Sequence, residues 1–197
     1  MTAITRRVAA LALGAAATFA ALSAAAQEAP RVKFNTSAGD FVVEVYPDKA
    51  PKTVANFLQY VKDKHYDGTV FHRVIDNFMV QGGGYDANYA QKPTRPPVQH
   101  EGQEALAKGG PKNVVGTLAM ARTNDPHSAS SQFFINVKDN AFLDPTPQKP
   151  GYTVFGKVVS GMDVINKIKA TPTGAGGPFP SDVPKTPIVI RSAELVK

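Results

Sequence analysis

The chain has 197 residues, with 22 Lys and Arg against 16 Asp and Glu, and it contains neither cysteine nor tryptophan. Without cysteine, a disulfide framework and a thiol nucleophile are both excluded. The basic excess is not gathered into a lysine or arginine cluster with interleaved aromatics, so no nucleic-acid partner is expected.

Taken in order, residues 1–26 combine a basic start at Arg6 and Arg7, an apolar run over 8–22 and an A-x-A signal at Ala24-Ala25-Ala26. That pattern predicts a cleavable secretory signal, cut after Ala26, because the run is shorter and richer in alanine than a membrane span. Thr5-Arg6-Arg7 leaves twin-arginine export open beside the general route, which a plain basic start favours. A periplasmic or otherwise exported location follows, with no stable membrane insertion once the signal is gone. Residues 27–197 remain as one domain.

Segments 31–37 and 40–46 alternate apolar residues, with Ser37-Ala38-Gly39 as their hairpin turn. Pro51 then opens a helix whose Val54, Phe57, Leu58 and Val61 repeat at i, i+3, i+4, i+7. A strand is expected over 69–72, followed by a short connection and a second strand over 78–81. Strict alternation would set Phe71 and Arg73 on one face. The triple glycine Gly82-Gly83-Gly84 must bend, and 82–112 reads as a long loop with a helical turn near 104–108. Strand 115–122 separates Leu118 and Met120 from Ala119 and Ala121. Strand 132–137 puts Phe133, Ile135 and Val137 on a core face and Gln132, Phe134 and Asn136 on the other. A phenylalanine flanked by two amides suits a groove wall better than a core. Later strands are expected over 152–158 and 187–196, with a helix over 162–169 burying Met162, Ile165 and Ile168, and a connecting loop over 171–187. Many strands with two helices predict a mainly β fold, a closed antiparallel barrel with helical caps.

Alone, Phe71-His72-Arg73 would be an ordinary hairpin with a solvated arginine. The longer string FHRVIDNFMVQGG over 71–83 resembles the active-site segment of the cyclophilins, the peptidyl-prolyl cis-trans isomerases. Three further matches follow in that family's order: GTLAMAR over 116–122, SQFFINV over 131–137, and Phe142-Leu143-Asp144 with GYTVFGKV over 151–158. The resemblance spans essentially all of 27–197. It implies an eight-stranded barrel with two helices, no cofactor, no metal, and unfolded or proline-containing polypeptides as substrates, handled by a monomer.

Site roles are likewise implied by the resemblance. Arg73 would donate to the prolyl nitrogen, Gln81 would hold the substrate carbonyl, and Phe78, Met79, Phe134 and Leu143 would surround the proline ring. His72, Ala121, Arg122, Gln132 and Tyr152 match neighbouring groove positions. Phe142 stands where many members carry tryptophan, and Arg122 where asparagine is common, which bears on cyclosporin sensitivity and on groove charge. Two rivals remain: a holdase chaperone using the same groove without accelerating rotation, and a hydrolase built on Ser128, Ser130 or Ser131 near His127. No G-x-S-x-G elbow accompanies those serines. The four histidines, His65, His72, His100 and His127, lack metal-ligand spacing.

Overall fold

The computed structural model describes residues 28–196, so the expected signal segment lies outside the described residues. The first hairpin follows the alternation. β1 (Arg31–Thr36) and β2 (Gly39–Val45) bury Val32, Phe34, Phe41, Val43 and Val45 on one face and leave the other to solvent. Helix α1 (Pro51–Lys62) starts on its proline and buries Val54, Phe57, Tyr60 and Val61. Its N-terminus has no local side-chain cap. The buried Glu101 carboxylate instead accepts the Lys52 and Thr53 N–H groups at 3.1 and 2.8 Å, where the helix dipole favours negative charge.

Next come β3 (Thr69–Ile75), β4 (Met79–Asp86), the short helix α2 (Gly102–Ala107), β5 (Thr117–Met120), β6 (Phe133–Asn136), β7 (Val154–Ser160) and α3 (Met162–Lys169). A ribbon, β8 (Thr173–Gly176) and β9 (Phe179–Pro184), precedes β10 (Ile190–Val196). Eight strands form one antiparallel sheet in the order β10-β1-β2-β7-β5-β6-β4-β3. Inside lie Phe34, Phe41, Phe57, Tyr66, Phe71, Phe133 and Phe155, with neighbouring ring centroids 4.8 to 6.4 Å apart.

Five expectations need correction. The barrel closes more loosely than expected: edge strand β3 meets the residue just before β10 at one bridge, Val70 to Val189, with Gly68 N–H and Phe71 N–H donating to the Ile190 and Ile188 carbonyls. The 171–187 stretch is the β8–β9 ribbon rather than a plain loop, with Gly177-Pro178 as its turn. α2 makes a third helix, and α3 buries Val164, Ile165 and Ile168 while Met162 is only partly covered. Phe71 and Arg73 do not share a face. Phe71 sits opposite Gly82 and Arg73 opposite Gln81, so two steps along β3 face one along β4. His72 is the extra residue of a β-bulge, and the bulge turns Arg73 outward while Phe71 stays in the core.

Candidate active site

The outer face of the sheet carries a second, smaller apolar cluster: Met79, Ala119, Phe134, Leu143 and Val154, edged by Ile75, Phe78, Ala121 and Tyr152. It floors a cavity of about 150 Å³ lined by Arg73, Phe78, Met79, Gln81, Ala121, Arg122, Phe134, Leu143 and Tyr152. Six separate segments of the chain supply these side chains. Arg73 comes from the bulged part of β3, Met79 and Gln81 from β4, Phe134 from β6, Ala121 and Arg122 from the end of β5. Leu143 sits on a 3-10 turn (Ala141–Leu143) and Tyr152 leads into β7.

The 3-10 turn is fixed by a buried amide network. Asn113 donates from its backbone and side chain to Asp144, Asn136 donates to Asn113 and Thr117, and Asn140 donates to Asn136 and to the Phe78 carbonyl. A buried network with its partners in place is rigid. It therefore sets Leu143 and Phe78 at a fixed separation across the cavity mouth.

Of the residues that the resemblance marks, nine line this cavity. The other three lie around it. Gln132 accepts from Gln81 Nε2 at 3.0 Å and lines the two adjoining hollows. Phe142 is 68% exposed and stacks on Phe78 with centroids 5.7 Å apart, outside the lining. His72 is buried behind Arg73, with its ring 4.7 Å from Tyr85 and 5.4 Å from Phe179. Burial above all, reinforced by the Arg73 charge and opposed by a contact with the Val70 backbone, pushes the His72 imidazole down to about 4. It is neutral at pH 7, and its Nδ1 has no hydrogen-bond partner.

The two cations at the cavity differ. Arg73 is exposed and makes one long contact, from Nη1 to Gln81 Oε1 at 3.4 Å. Arg122 donates from Nε and Nη2 to the Gly151 carbonyl at 3.1 and 2.8 Å, from Nη1 to the Thr123 carbonyl at 2.7 Å, and lies 4.5 Å over the Tyr152 ring. The groove charge left in doubt by Arg122 is thus tied inward. The Ala121 N–H is also engaged, donating to the Gln132 carbonyl at 3.0 Å, so only its carbonyl remains for a ligand.

The triple glycine lets β4 pass beneath Gln132: Gly83 has φ +86°, and a Cβ on Gly84 would fall 2.4 Å from Gln132 Cγ. Two of the serines of the hydrolase reading are not exposed, free nucleophiles. Ser128 Oγ is held by Thr123 and Asp125, Ser131 is buried, and His127 Nδ1 accepts from the His100 N–H. No group of three or more His, Cys, Asp or Glu able to hold a metal occurs among the described residues. Sequence reasoning missed Tyr85 and the ribbon residues Phe179, Pro180, Ser181 and Asp182, which line the hollow beside Arg73. Glycine and proline there had concealed a paired strand.

Similarity to known proteins covers most of the chain. The family described as cyclophilin type peptidyl-prolyl cis-trans isomerase/CLD matches residues 31–195. The chain is 54% identical to peptidyl-prolyl cis-trans isomerase cyp18 of Streptomyces antibioticus, over 84% of this chain and 98% of that protein. It is 51% identical to peptidyl-prolyl cis-trans isomerase B of Escherichia coli, over 83% and 98%. Among solved structures it resembles the cyclophilin AquaCyp293 from Hirschia baltica, with a TM-score of 0.66, 27% identity and coverage of 83% of this chain and 73% of that one. A Cryptosporidium parvum cyclophilin type isomerase shares the fold, with a TM-score of 0.68 at 24% identity, covering 86% of this chain and 98% of that one.

Proposed function

This chain belongs to the cyclophilin-type peptidyl-prolyl cis-trans isomerases, and from that premise we propose how its own residues turn an Xaa-Pro bond. The activity needs no covalent step. Rotation is opposed by roughly 18–20 kcal/mol of amide resonance, and the X-Pro bond is the one at which both isomers are commonly populated. A catalyst has to favour the twisted amide over either planar form.

The carrying observation is the composition of the cavity: an apolar floor with one lightly engaged guanidinium at its edge. The proline ring lies on Phe134, Met79 and Leu143, walled by Phe78. Arg73 donates to the prolyl nitrogen as its lone pair localises, a contact that a planar amide cannot accept. Such an interaction, present only in the transition state, lowers the barrier rather than merely tightening binding. Gln81 holds the carbonyl side, and the Ala121 carbonyl holds the flanking backbone. One charged hydrogen bond contributes about 1.5–3 kcal/mol, whereas a 10⁵-fold acceleration needs about 7. The remainder comes from desolvating the amide and clamping both of its sides.

The same reading places the protein outside the cytoplasm, acting as a monomer on unfolded exported chains, with 1–26 removed. Its support is the basic, apolar and A-x-A order of the first 26 residues, and the family match that starts downstream at Arg31. Among the described residues no helix is long and apolar enough to cross a membrane. Mass spectrometry of the exported protein should find Gln27 at its start; an intact Met1 would refute the cut. NMR exchange on a cis/trans Xaa-Pro peptide, beside Arg73→Ala, tests the site: equal rates in both would overturn the assignment of Arg73. Binding of unfolded chains without acceleration would select the holdase instead.

A further inference from the structure

Beside the proline cavity lies a second hollow of about 300 Å³ that shares Arg73 and Gln81 with it and is also lined by Gln132. Its far wall is the β8–β9 ribbon, through Phe179, Ser181 and Asp182. The ribbon is anchored as a fixed wall. Phe179 packs on His72 and meets Tyr85 edge-on at 5.1 Å, and a Cβ on Gly177 would fall 2.7 Å from Tyr89, so the turn is seated against that ring.

Asp182 is the only carboxylate of this hollow. It makes no ion pair among the described residues, and its Oδ2 accepts only from the adjacent Ser181 hydroxyl, at 2.9 Å. Its φ of +65° is unusual for a residue with a side chain and is most tolerable for Asp or Asn. Backbone strain of this kind persists where the surroundings impose it, and functional sites are where it concentrates. Arg73 is the other formal charge of the lining, and it faces the rotating prolyl amide in the reading above.

We propose that this hollow is a specificity subsite that takes a lysine or arginine side chain of the substrate, a few residues from the proline, with the Asp182 carboxylate and the Ser181 hydroxyl as its recognition groups. The proposal rests on the proline occupying the adjoining cavity. A peptide seated there must run over Gln81 and Gln132, and its neighbouring side chain then drops toward the ribbon. A cationic tip reaches a carboxylate with free acceptor capacity, while its aliphatic stem covers Phe179. An acidic side chain meets Asp182 with like charge instead. Being remote from the rotating bond, the contact acts alike on ground and transition states, so it shows in KM and not in kcat.

The test uses the mature protein and short peptides with a single proline, carrying Lys, Gln or Glu at each of three places before or after it. NMR exchange gives turnover, and chemical-shift titration gives affinity. At one place, lysine should beat glutamate by about fivefold or more in KM at low salt, a preference that fades as salt rises. Asp182→Asn keeps the backbone conformation available and should cut that ratio below about twofold, while Asp182→Lys should invert it. Amide shifts at Ser181 and Asp182 should follow the lysine peptide. A ratio near one at every place in the wild type, or one that survives Asp182→Asn, overturns the subsite. Should Arg73→Ala leave turnover intact, the reading of Arg73 fails while the affinity ratio still decides the subsite.

Discussion

The two walls of the cavity each carry an arginine, and the two are held in opposite ways. On the β5 wall, Arg122 gives its donors to the Gly151 and Thr123 carbonyls and its face to Tyr152. On the β3 wall, Arg73 has one side-chain hydrogen bond among the described residues, to Gln81 at the long end of hydrogen-bond range. A guanidinium has five N–H donors in a fixed fork. Where local carbonyls occupy them, the group is structural; where they are left over, it can respond to charge that appears only during reaction. The placement of backbone carbonyls around each arginine, more than its charge, separates the roles.

The largest effect that would break this contrast is loss of the free arginine. Arg73→Ala should lower kcat/KM by about tenfold to 150-fold, the size of one charged hydrogen bond, while the melting temperature stays within a degree or two, since exposed substitutions cost about 0.5 kcal/mol or less. Isomer exchange and calorimetry on the same sample check both halves. An equal fall in stability would make Arg73 another structural arginine.

Nearly as large is the acid response of the β3 wall. His72 ionises near 4 when folded and near 6.5 when unfolded, so between those values the unfolded chain binds more protons. Stability contributed by the neutral ring is complete above about pH 6.5 and is lost as pH falls toward 4, by as much as about 3 kcal/mol. His65 and His100, also lowered chiefly by burial, act in the same sense. Denaturant melts between pH 7 and 4 should show this loss, and His72→Phe, which keeps an aromatic against Phe179, should flatten it. An unchanged slope in that variant would place the proton elsewhere.

Arg122→Ala should show the reverse of Arg73→Ala, a stability loss of about 1–2 kcal/mol with a smaller change in rate. That loss corresponds to a melting shift of about 2–8 °C for a chain of this size. Arg122→Lys should not rescue it, because an ammonium has neither the fork nor the flat face. The smallest effect belongs to the amide that links Arg73 to Gln132: Gln81→Ala should reduce kcat/KM about two- to tenfold, as a neutral hydrogen bond would. A rate loss for Arg122→Ala exceeding that for Arg73→Ala would exchange the two roles.

Much of this contrast could be read from residue order, and the part that could not has a physical cause. Alternation in β1, β2, β5 and β6 predicts which side chains enter the core, because each strand has one face in aromatic packing and the other outside it. That is why Phe134 and Ala119 emerge on the cavity side as expected. Alternation fails at His72, where one inserted residue reverses the face of everything after it. No local pattern announces a bulge, since it is set by the partner strand. The ribbon was hidden for another reason: Gly174, Gly176, Pro178 and Pro180 give a weak strand signal, and its pairing depends on Phe179 finding His72 and Tyr85. Arg122 was visible as a residue but not as a role, because its partners are backbone carbonyls at Thr123 and Gly151.

The strand order also dictates when the molecule can exist at all. β1 lies between β2 and β10, with Arg31 opposite Val196, so the first strand is half-paired until the last one arrives. Bringing such distant segments together carries a large loop-closure entropy and slows folding. A chain emerging from the ribosome, N-terminus first, can form the β1–β2 and β3–β4 hairpins early. Its β10 edge and the seam against β3 must wait for the final residues. Until β10 has been made, the sheet lacks one of its edges, and the hairpins formed earlier wait as separate pieces.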